Sequence, residues 1–427
     1  MAASKASDSD MKRLTIVGAG WAGLAAAVTA IQAGWQVTLY EASATAGGRA
    51  RSLPNHYADL PLDNGQHILI GGYRDTLALM RTVGTAPETM LHRIPLDLRF
   101  ANGEGLQLPD WPAPLNILAG LLGAYGWTWQ DKIGLLRTAA TWQLHGFVCP
   151  AHWSVHDLNA HHHLSPRVVQ QLIEPLCLSA LNTPMHRASA AVFLRVLGDA
   201  LLGGKGSSDL LIPTQDLGQV LPDACLSWLT QRGANIHLHQ RVGPDALASW
   251  LENTETTVIL ACPAWEAARL AAPSNSAWAH RAADLKHEAI ATVYLHCTDA
   301  QFKNLPRPMM ALCSNAQSPA QYVFDRGAFT QQAGLLAAVV SACTLDKEEV
   351  SRQVQTQVAT QLGLTNLHVL QTVVEKRATF ACTPGLRRPT PQIASRLWAC
   401  GDYIEGPYPS TLEGAVRSGQ QVVTQLG

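Results

Sequence analysis

Three glycines in six residues, Gly18-Ala19-Gly20-Trp21-Ala22-Gly23, stand between a short apolar run at 14–17 and an alanine-rich stretch at 22–33 that ends at Gly34. An apolar run that ends in glycine reads as a buried parallel strand, and the alanine-rich stretch reads as a helix. A second apolar run, 36–40, follows and ends at Glu41, completing a β-α-β opening. Each glycine has a physical task. Gly18 permits a tight turn, Gly20 lets backbone amides approach a pyrophosphate, and Gly23 lets the helix lie close to the sheet. With Ala19, Trp21 and Ala22 they form a loop at a helix N-terminus, where unpaired N–H groups and a partial positive charge await phosphates. Glu41 is placed to accept both hydroxyls of an adenosine ribose, and its charge repels a 2′-phosphate. A dinucleotide without that phosphate is expected.

Composition narrows the partners. Charged residues make up 15% of the 427 residues and hydrophobic ones 47%, against roughly 25% charged in an average soluble protein. Such a chain is not disordered, and its length suits two or three domains. A net charge of -1 lacks the electrostatic footprint of a nucleic-acid binder. So few charges call for deep burial, a partner, or a lipid-facing patch. The nine cysteines are scattered with no CxxC, so neither a disulfide framework nor a zinc site is expected, only buried reduced thiols in a cytoplasmic protein. His161-His162-His163 are consecutive and do not converge on one ion, so no metal is expected. Residues 1–11 are small and polar, a loose tail with no secretory apolar core. The stretch 111–130 has no formal charge but contains Pro112, Pro114, Asn116 and three glycines, which argues for core or interfacial packing over a spanning helix.

The remaining pattern is α/β. Residues 77–200 read as mainly helical, 217–232 as one helix stopped by Gly233, and 235–239 and 257–261 as strands. Further strands are expected at 289–297, 309–313 and 334–343. Val350, Val354, Val358 and Leu362 form the packing stripe of a helix at 347–362. A strand at 397–400 and a helix at 411–426 close the chain. The expected architecture is a Rossmann-like dinucleotide domain of residues 12–75, 205–265 and 385–427. It is interleaved with a mixed helical and β-sheet substrate domain of 76–204 and 266–384.

A second glycine loop, Ala46-Gly47-Gly48-Arg49-Ala50-Arg51, follows Glu41, and the chain ends with Ala399-Cys400-Gly401-Asp402-Tyr403 and Tyr408-Pro409-Ser410-Thr411-Leu412-Glu413-Gly414. Together these motifs resemble the family of amine oxidases, phytoene-type desaturases and prenyl-binding GDP-dissociation inhibitors. The resemblance implies FAD as the dinucleotide. It places Gly47, Gly48 and Arg49 at the pyrophosphate or flavin edge, and Gly401 and Asp402 at the ribityl–phosphate region. Ser410, Thr411 and Leu412 fall at the helix end facing the flavin pyrimidine ring, and the Val242 backbone falls against adenine. The family's covalent members carry a Cys where this chain has Pro409-Ser410-Thr411, so the FAD is expected to be non-covalent.

Asp63-Asn64-Gly65-Gln66-His67, with 209–213 and 232–234, is similar to the squalene-associated flavoproteins of that family, a likeness that spans the chain. It implies reductive removal of the hydroxyl of hydroxysqualene to give squalene, in hopanoid biosynthesis. Protonation releases water, and reduced FAD supplies a hydride to the allylic cation. Such chemistry needs a proton donor and a dry apolar pocket. His67 is the first candidate, because imidazole titrates near neutrality. Asp63, Tyr73 and Arg74 follow. The implied partners are a long-chain isoprenoid and an unidentified electron donor; the scarce charges and the apolar stretch from Trp111 to Trp129 add the expectation of a peripheral contact with the inner face of the cell membrane. Two other readings are an oxidative isoprenoid desaturase or amine oxidase-like enzyme, and a prenyl-binding carrier. Carriers of this fold lose the pyrophosphate loop, which is intact here.

Overall fold

The computed structural model describes residues 12–53, 62–329 and 332–426; the expected tail, 1–11, lies outside them. The opening β-α-β unit forms as Arg13–Val17, Trp21–Gln32 and Gln36–Tyr40. Its strands sit in the middle of a six-stranded sheet ordered Gln392–Ala394, Leu397–Ala399, Thr256–Leu260, Arg13–Val17, Gln36–Tyr40, Asn235–His237. All neighbours are parallel except the edge pair Gln392–Ala394 and Leu397–Ala399. Leu14, Ile16, Val258, Ile259 and Leu260 are almost fully buried, as expected for a parallel sheet covered by helices on both faces. The strands come from three stretches of chain that are distant in sequence.

The closing helix, Leu412–Leu426, packs against Trp21–Gln32 at very short range. A Cβ on Gly419 would lie 2.1 Å from the carbonyl oxygen of Ala22, so only glycine lets the two backbones meet.

A second sheet of five strands is antiparallel, in the order Met309–Ala311, Tyr322–Asp325, Leu335–Ser341, His287–Cys297, Leu367–Phe380. Alternation splits its side chains between two cores. Val293, Leu295, Val323, Leu336 and Ala338 pack on the helix Lys347–Leu362 through Val350, Val354 and Val358. Tyr294, Tyr322, Phe324, Leu335 and Ala337 face the largest apolar cluster of the molecule.

Several elements depart from expectation. The helix at 217–232 is two helices, Leu217–Val220 and Pro222–Gln231. Leu221 breaks out of helical geometry at φ -147° because Pro222 disfavours a helical residue before it. The region 77–200 is interrupted by the strands Leu91–Ile94, Asp97–Arg99 and Gly105–Gln107. The first of these pairs with Leu210–Pro213, more than a hundred residues away, so no local pattern announces it. The long strand Leu367–Phe380 was likewise unassigned. All nine cysteines are unpaired, but Cys313 is exposed and Cys149 half-buried, which corrects the expectation that all are interior. Among the described residues, no group of His, Cys, Asp and Glu is arranged to hold a metal ion, and no helix is long and apolar enough to cross a membrane.

Candidate flavin and substrate site

The loop 18–23 has the geometry its glycines foretell. Gly18 adopts φ 112°, and a Cβ there would lie 2.7 Å from the Ala261 carbonyl oxygen. A Cβ on Gly23 would lie 1.9 Å from the Gly18 carbonyl oxygen. The helix behind the loop starts at Trp21 with no side-chain cap and no acidic residue in its first turn, so its amides await an anion.

The second glycine loop lies on the first. Gly47 donates its amide to the Ala19 carbonyl at 2.8 Å, and a Cβ on Gly48 would come within 3.2 Å of the Gly20 Cα. Glu41 is oriented by the amides of Ala19 and Ser43, each donating to a different carboxylate oxygen at 2.8 Å. Both oxygens keep a lone pair for a further donor. The segment that follows Asn235–His237 runs beside Glu41: the Glu41 amide donates to the His237 carbonyl and the His239 amide to the Ser43 carbonyl. Val242, a few residues on, is buried, and its carbonyl accepts from Arg269.

The C-terminal motif reaches the same place. Arg49 donates to the Ala378 carbonyl at 2.6 Å and to Asp402 at 2.5 Å, and the Ser410 hydroxyl donates to the other Asp402 oxygen. Burial alone pushes the Asp402 carboxyl up, but the Arg49 charge and the Ser410 hydroxyl outweigh it and hold it below the usual carboxylate range. The pair is therefore charged at neutral pH. Arg49, Pro263, Trp265, His287, Asp402 and Tyr403 surround a small cavity here. The buried Tyr403 hydroxyl has no hydrogen-bond partner among the described residues, a costly state unless a ligand supplies one.

At the closing helix, the Thr411 hydroxyl accepts the Gly414 amide at 3.0 Å. The earlier first-turn amides have no intrahelical acceptor, so they offer donors and a positive dipole end to a ligand. Glu413, which sequence reasoning did not single out, is buried and caps the neighbouring helix Arg74–Thr82. It accepts from the amides of Asp75 and Thr76 at 3.0 and 2.9 Å. Its position inside the quoted motif was the available signal. Burial pushes its carboxyl up.

The four candidate proton donors are placed differently. Asp63 is buried; one oxygen accepts the Leu217 amide at 2.9 Å and the other lies 3.9 Å from Arg326. Burial, helped by nearby Asp216, raises its carboxyl to about 7. Tyr73 precedes the helix Arg74–Thr82 beside Thr411 and Glu413, where burial and the Glu413 charge push its hydroxyl well up. Arg74 is exposed and donates to the Gly203 carbonyl. His67 keeps the freest chemistry. Its Nδ1 lies 2.9 Å from the Gly65 carbonyl, so Nδ1 carries the hydrogen, while Nε2 has no partner among the described residues. Burial, with the Arg49 charge, lowers its pKa against the opposing Gly65 carbonyl, so the ring is neutral at pH 7.

The loop carrying these residues is pinned to the five-stranded sheet. The Tyr294 hydroxyl donates to the Asp63 carbonyl at 3.0 Å, and Thr292 Oγ1 accepts the Gln66 amide at 3.2 Å. His67 thus lies where the glycine-loop sheet meets the apolar face of the second sheet.

The model of the flavin-containing amine oxidoreductases matches residues 21–426. The chain belongs to that family. It is an FAD-dependent oxidoreductase, and the double glycine loop, the Arg49–Asp402 pair, the orphaned Tyr403 hydroxyl and the free helix ends fit that cofactor. This flavoprotein is similar along its length to the hydroxysqualene dehydroxylase of Rhodopseudomonas palustris, with 29% identity over 96% of this chain and 97% of the relative. The hydroxysqualene dehydroxylase of Zymomonas mobilis is 26% identical over 95% of this chain and 96% of the relative. A probable zeta-carotene desaturase of Synechococcus elongatus is 26% identical over 54% of this chain and 50% of its own. The fold is shared with an oxidoreductase of Methanosarcina mazei at a TM-score of 0.69 and 14% identity, over 97% of this chain and 100% of that one.

Proposed function

We propose that this flavoprotein removes the hydroxyl group of hydroxysqualene reductively, giving squalene and water, as a step of hopanoid biosynthesis. The observation that carries the reading is the similarity to hydroxysqualene dehydroxylases through both sheets, whereas the similarity to the desaturase covers about half of the chain. Bound in its reduced form, FAD supplies the hydride for the carbon that loses the hydroxyl.

The chain's own residues do the rest. Gly18 to Gly23, Gly47 and Gly48 would admit the pyrophosphate, Glu41 would take the adenosine ribose, and the Val242 backbone would hold the adenine. Arg49 and Asp402 would hold the ribityl–phosphate region, and the helix behind Ser410, Thr411 and Leu412 would offer its positive end to the pyrimidine ring. His67 moves the proton: protonated at Nε2, it gives that proton to the leaving hydroxyl, and the Gly65 carbonyl holds the ring by Nδ1–H. The apolar face bearing Tyr294 and Phe324 excludes water, so the allylic cation meets hydride rather than solvent. The balance is one alcohol, one proton and one hydride to one hydrocarbon and one water, and an external electron donor must re-reduce the flavin after each turnover.

Anaerobic mixing of the dithionite-reduced protein with hydroxysqualene tests the reading. Squalene forming as the flavin reoxidises supports it. Squalene consumed by the oxidised protein supports the desaturase instead.

A further inference from the structure

Every large apolar side chain that is strongly exposed among the described residues lies between Trp111 and Val148. Elsewhere the described residues keep none, so this is one built patch and not scattered exposure. Its core is the helix Leu115–Gly123, on which Leu115, Leu118 and Leu122 share one outward stripe. At its start the polarity of this helix is inverted. Asn116 is 6% exposed while Leu115 is 60% exposed. The next helix, Trp129–Leu144, repeats the inversion: Asp131 and Lys132 are buried while Trp129 and Ile133 stand out.

The inversion is anchored. Lys132 donates from Nζ to the Leu122 carbonyl at 2.7 Å, tying the two helices side by side, and lies over the Trp129 ring. Asp131 completes a capping box with Thr128. Charges that would ordinarily make this surface water-compatible are drawn inward, and from 111 to 148 the single exposed formal charge is the cation Arg137. Trp111, Tyr125 and Trp129 border the leucines, offering N–H and O–H groups beside apolar rings.

We propose that this surface docks on a lipid bilayer, with the two helices lying in the interfacial plane. Leucines flanked by Trp and Tyr, with a cation at the edge, match the gradient from acyl chains to anionic headgroups. The Leu115–Gly123 helix is nine residues long, on the order of 14 Å, too short to span and suited to lying flat. A second copy of the chain would leave those aromatic donors to be paired within a dry interface; headgroup carbonyls and water satisfy them directly. The inner side of the patch supplies a reason for the placement. Leu121, Ala124 and Trp127 belong to the same continuous apolar cluster as Phe324, Tyr294 and Leu62, which adjoins Asp63 and the loop to His67. This deepens the hydroxysqualene reading, on which the benefit to a water-insoluble C30 substrate rests; adhesion itself does not depend on it.

The test is flotation of the FAD-loaded protein, without substrate, on vesicles of mixed phosphatidylcholine and phosphatidylglycerol. The wild type is compared with a Leu115→Gln, Leu118→Gln, Leu122→Gln variant, whose exposed positions leave fold and flavin absorbance unchanged. The wild type floats, and the variant partitions at least about tenfold more weakly. Equal flotation of the two overturns the proposal, as does a wild type that stays in solution. A wild type that stays in solution as a dimer while the variant is a monomer assigns the patch to a second copy. Flotation with no squalene formed from hydroxysqualene would sink the catalytic reading and leave the docking surface standing.

Discussion

Arg49 meets Asp402 at 2.5 Å across 353 residues of chain, and Ser410 closes on the remaining carboxylate oxygen. The pair joins the second glycine loop to the C-terminal motif, so two distant stretches of chain meet at one contact. Asp402→Asn removes the nearest counter-charge of a partly buried guanidinium and leaves it only the more distant Glu375. The expected cost is about 2 kcal/mol of stability, together with purification in a colourless, FAD-depleted form. Urea unfolding and the flavin-to-protein absorbance ratio measure the two losses. A yellow variant of wild-type stability would show that the pair is dispensable.

The contact between the first and last long helices is equally specific. Gly419→Ala places a methyl group against the Ala22 carbonyl, inside van der Waals distance. The helices must separate, at a cost of about 2 kcal/mol, and the phosphate loop at the head of Trp21–Gln32 shifts with them. Gly134→Ala is the matched control: Gly134 lies in the middle of Trp129–Leu144 with open space at its Cβ. There the change should stabilise the protein by about 0.5 kcal/mol through helix propensity. Thermal unfolding of the two variants should give shifts of opposite sign.

Asp63 has a carboxyl raised to about 7 in the folded chain. The native state therefore holds its proton where the unfolded chain, with an ordinary carboxyl, has released it. The folded state binds more protons between about pH 4 and 7, so this group's contribution to stability falls as pH rises through that window. Asp63→Asn keeps an acceptor for the Leu217 amide and removes the titration. Its advantage over the wild type should grow from pH 5 to pH 8 in urea melts. An advantage that shrinks over that range would reverse the assignment.

His67 is neutral at pH 7 because burial lowers its pKa. If it is the proton donor, its active form accumulates only as pH drops below the ordinary imidazole value. Anaerobic single-turnover rates should then rise as pH falls below about 6.5. His67→Phe should slow the reaction by about a hundredfold and erase that rise while retaining FAD. A variant with wild-type rate and pH profile would remove His67 from the chemistry.

The opening unit was legible because its requirements are local. A tight turn, a close phosphate and a helix packed on a sheet each demand glycine at a stated spacing, and Gly18, Gly20 and Gly23 meet that demand without reference to the remainder of the chain. The helix Lys347–Leu362 was read at its bounds for the same reason, from one stripe at one period. The break at Leu221 was also local, in Pro222, but the apolar period ran through it.

The rest was decided by partners far away in sequence. Nothing near Arg49 names Asp402, and nothing near Glu413 says that its carboxylate caps the helix Arg74–Thr82 rather than facing a ligand. The strand Leu367–Phe380 is defined by pairing with His287–Cys297, and Asp63, an ordinary acid in sequence, acquires its proton affinity from burial. The inverted helices at Leu115–Gly123 and Trp129–Leu144 make the point most sharply. Sequence determined an uncharged apolar stretch at 111–130 followed by Asp131 and Lys132; only the folded chain decided that Asn116 and these two charges turn inward. Which side of a helix is the inside depends on what packs against it, and that is a property of the whole chain.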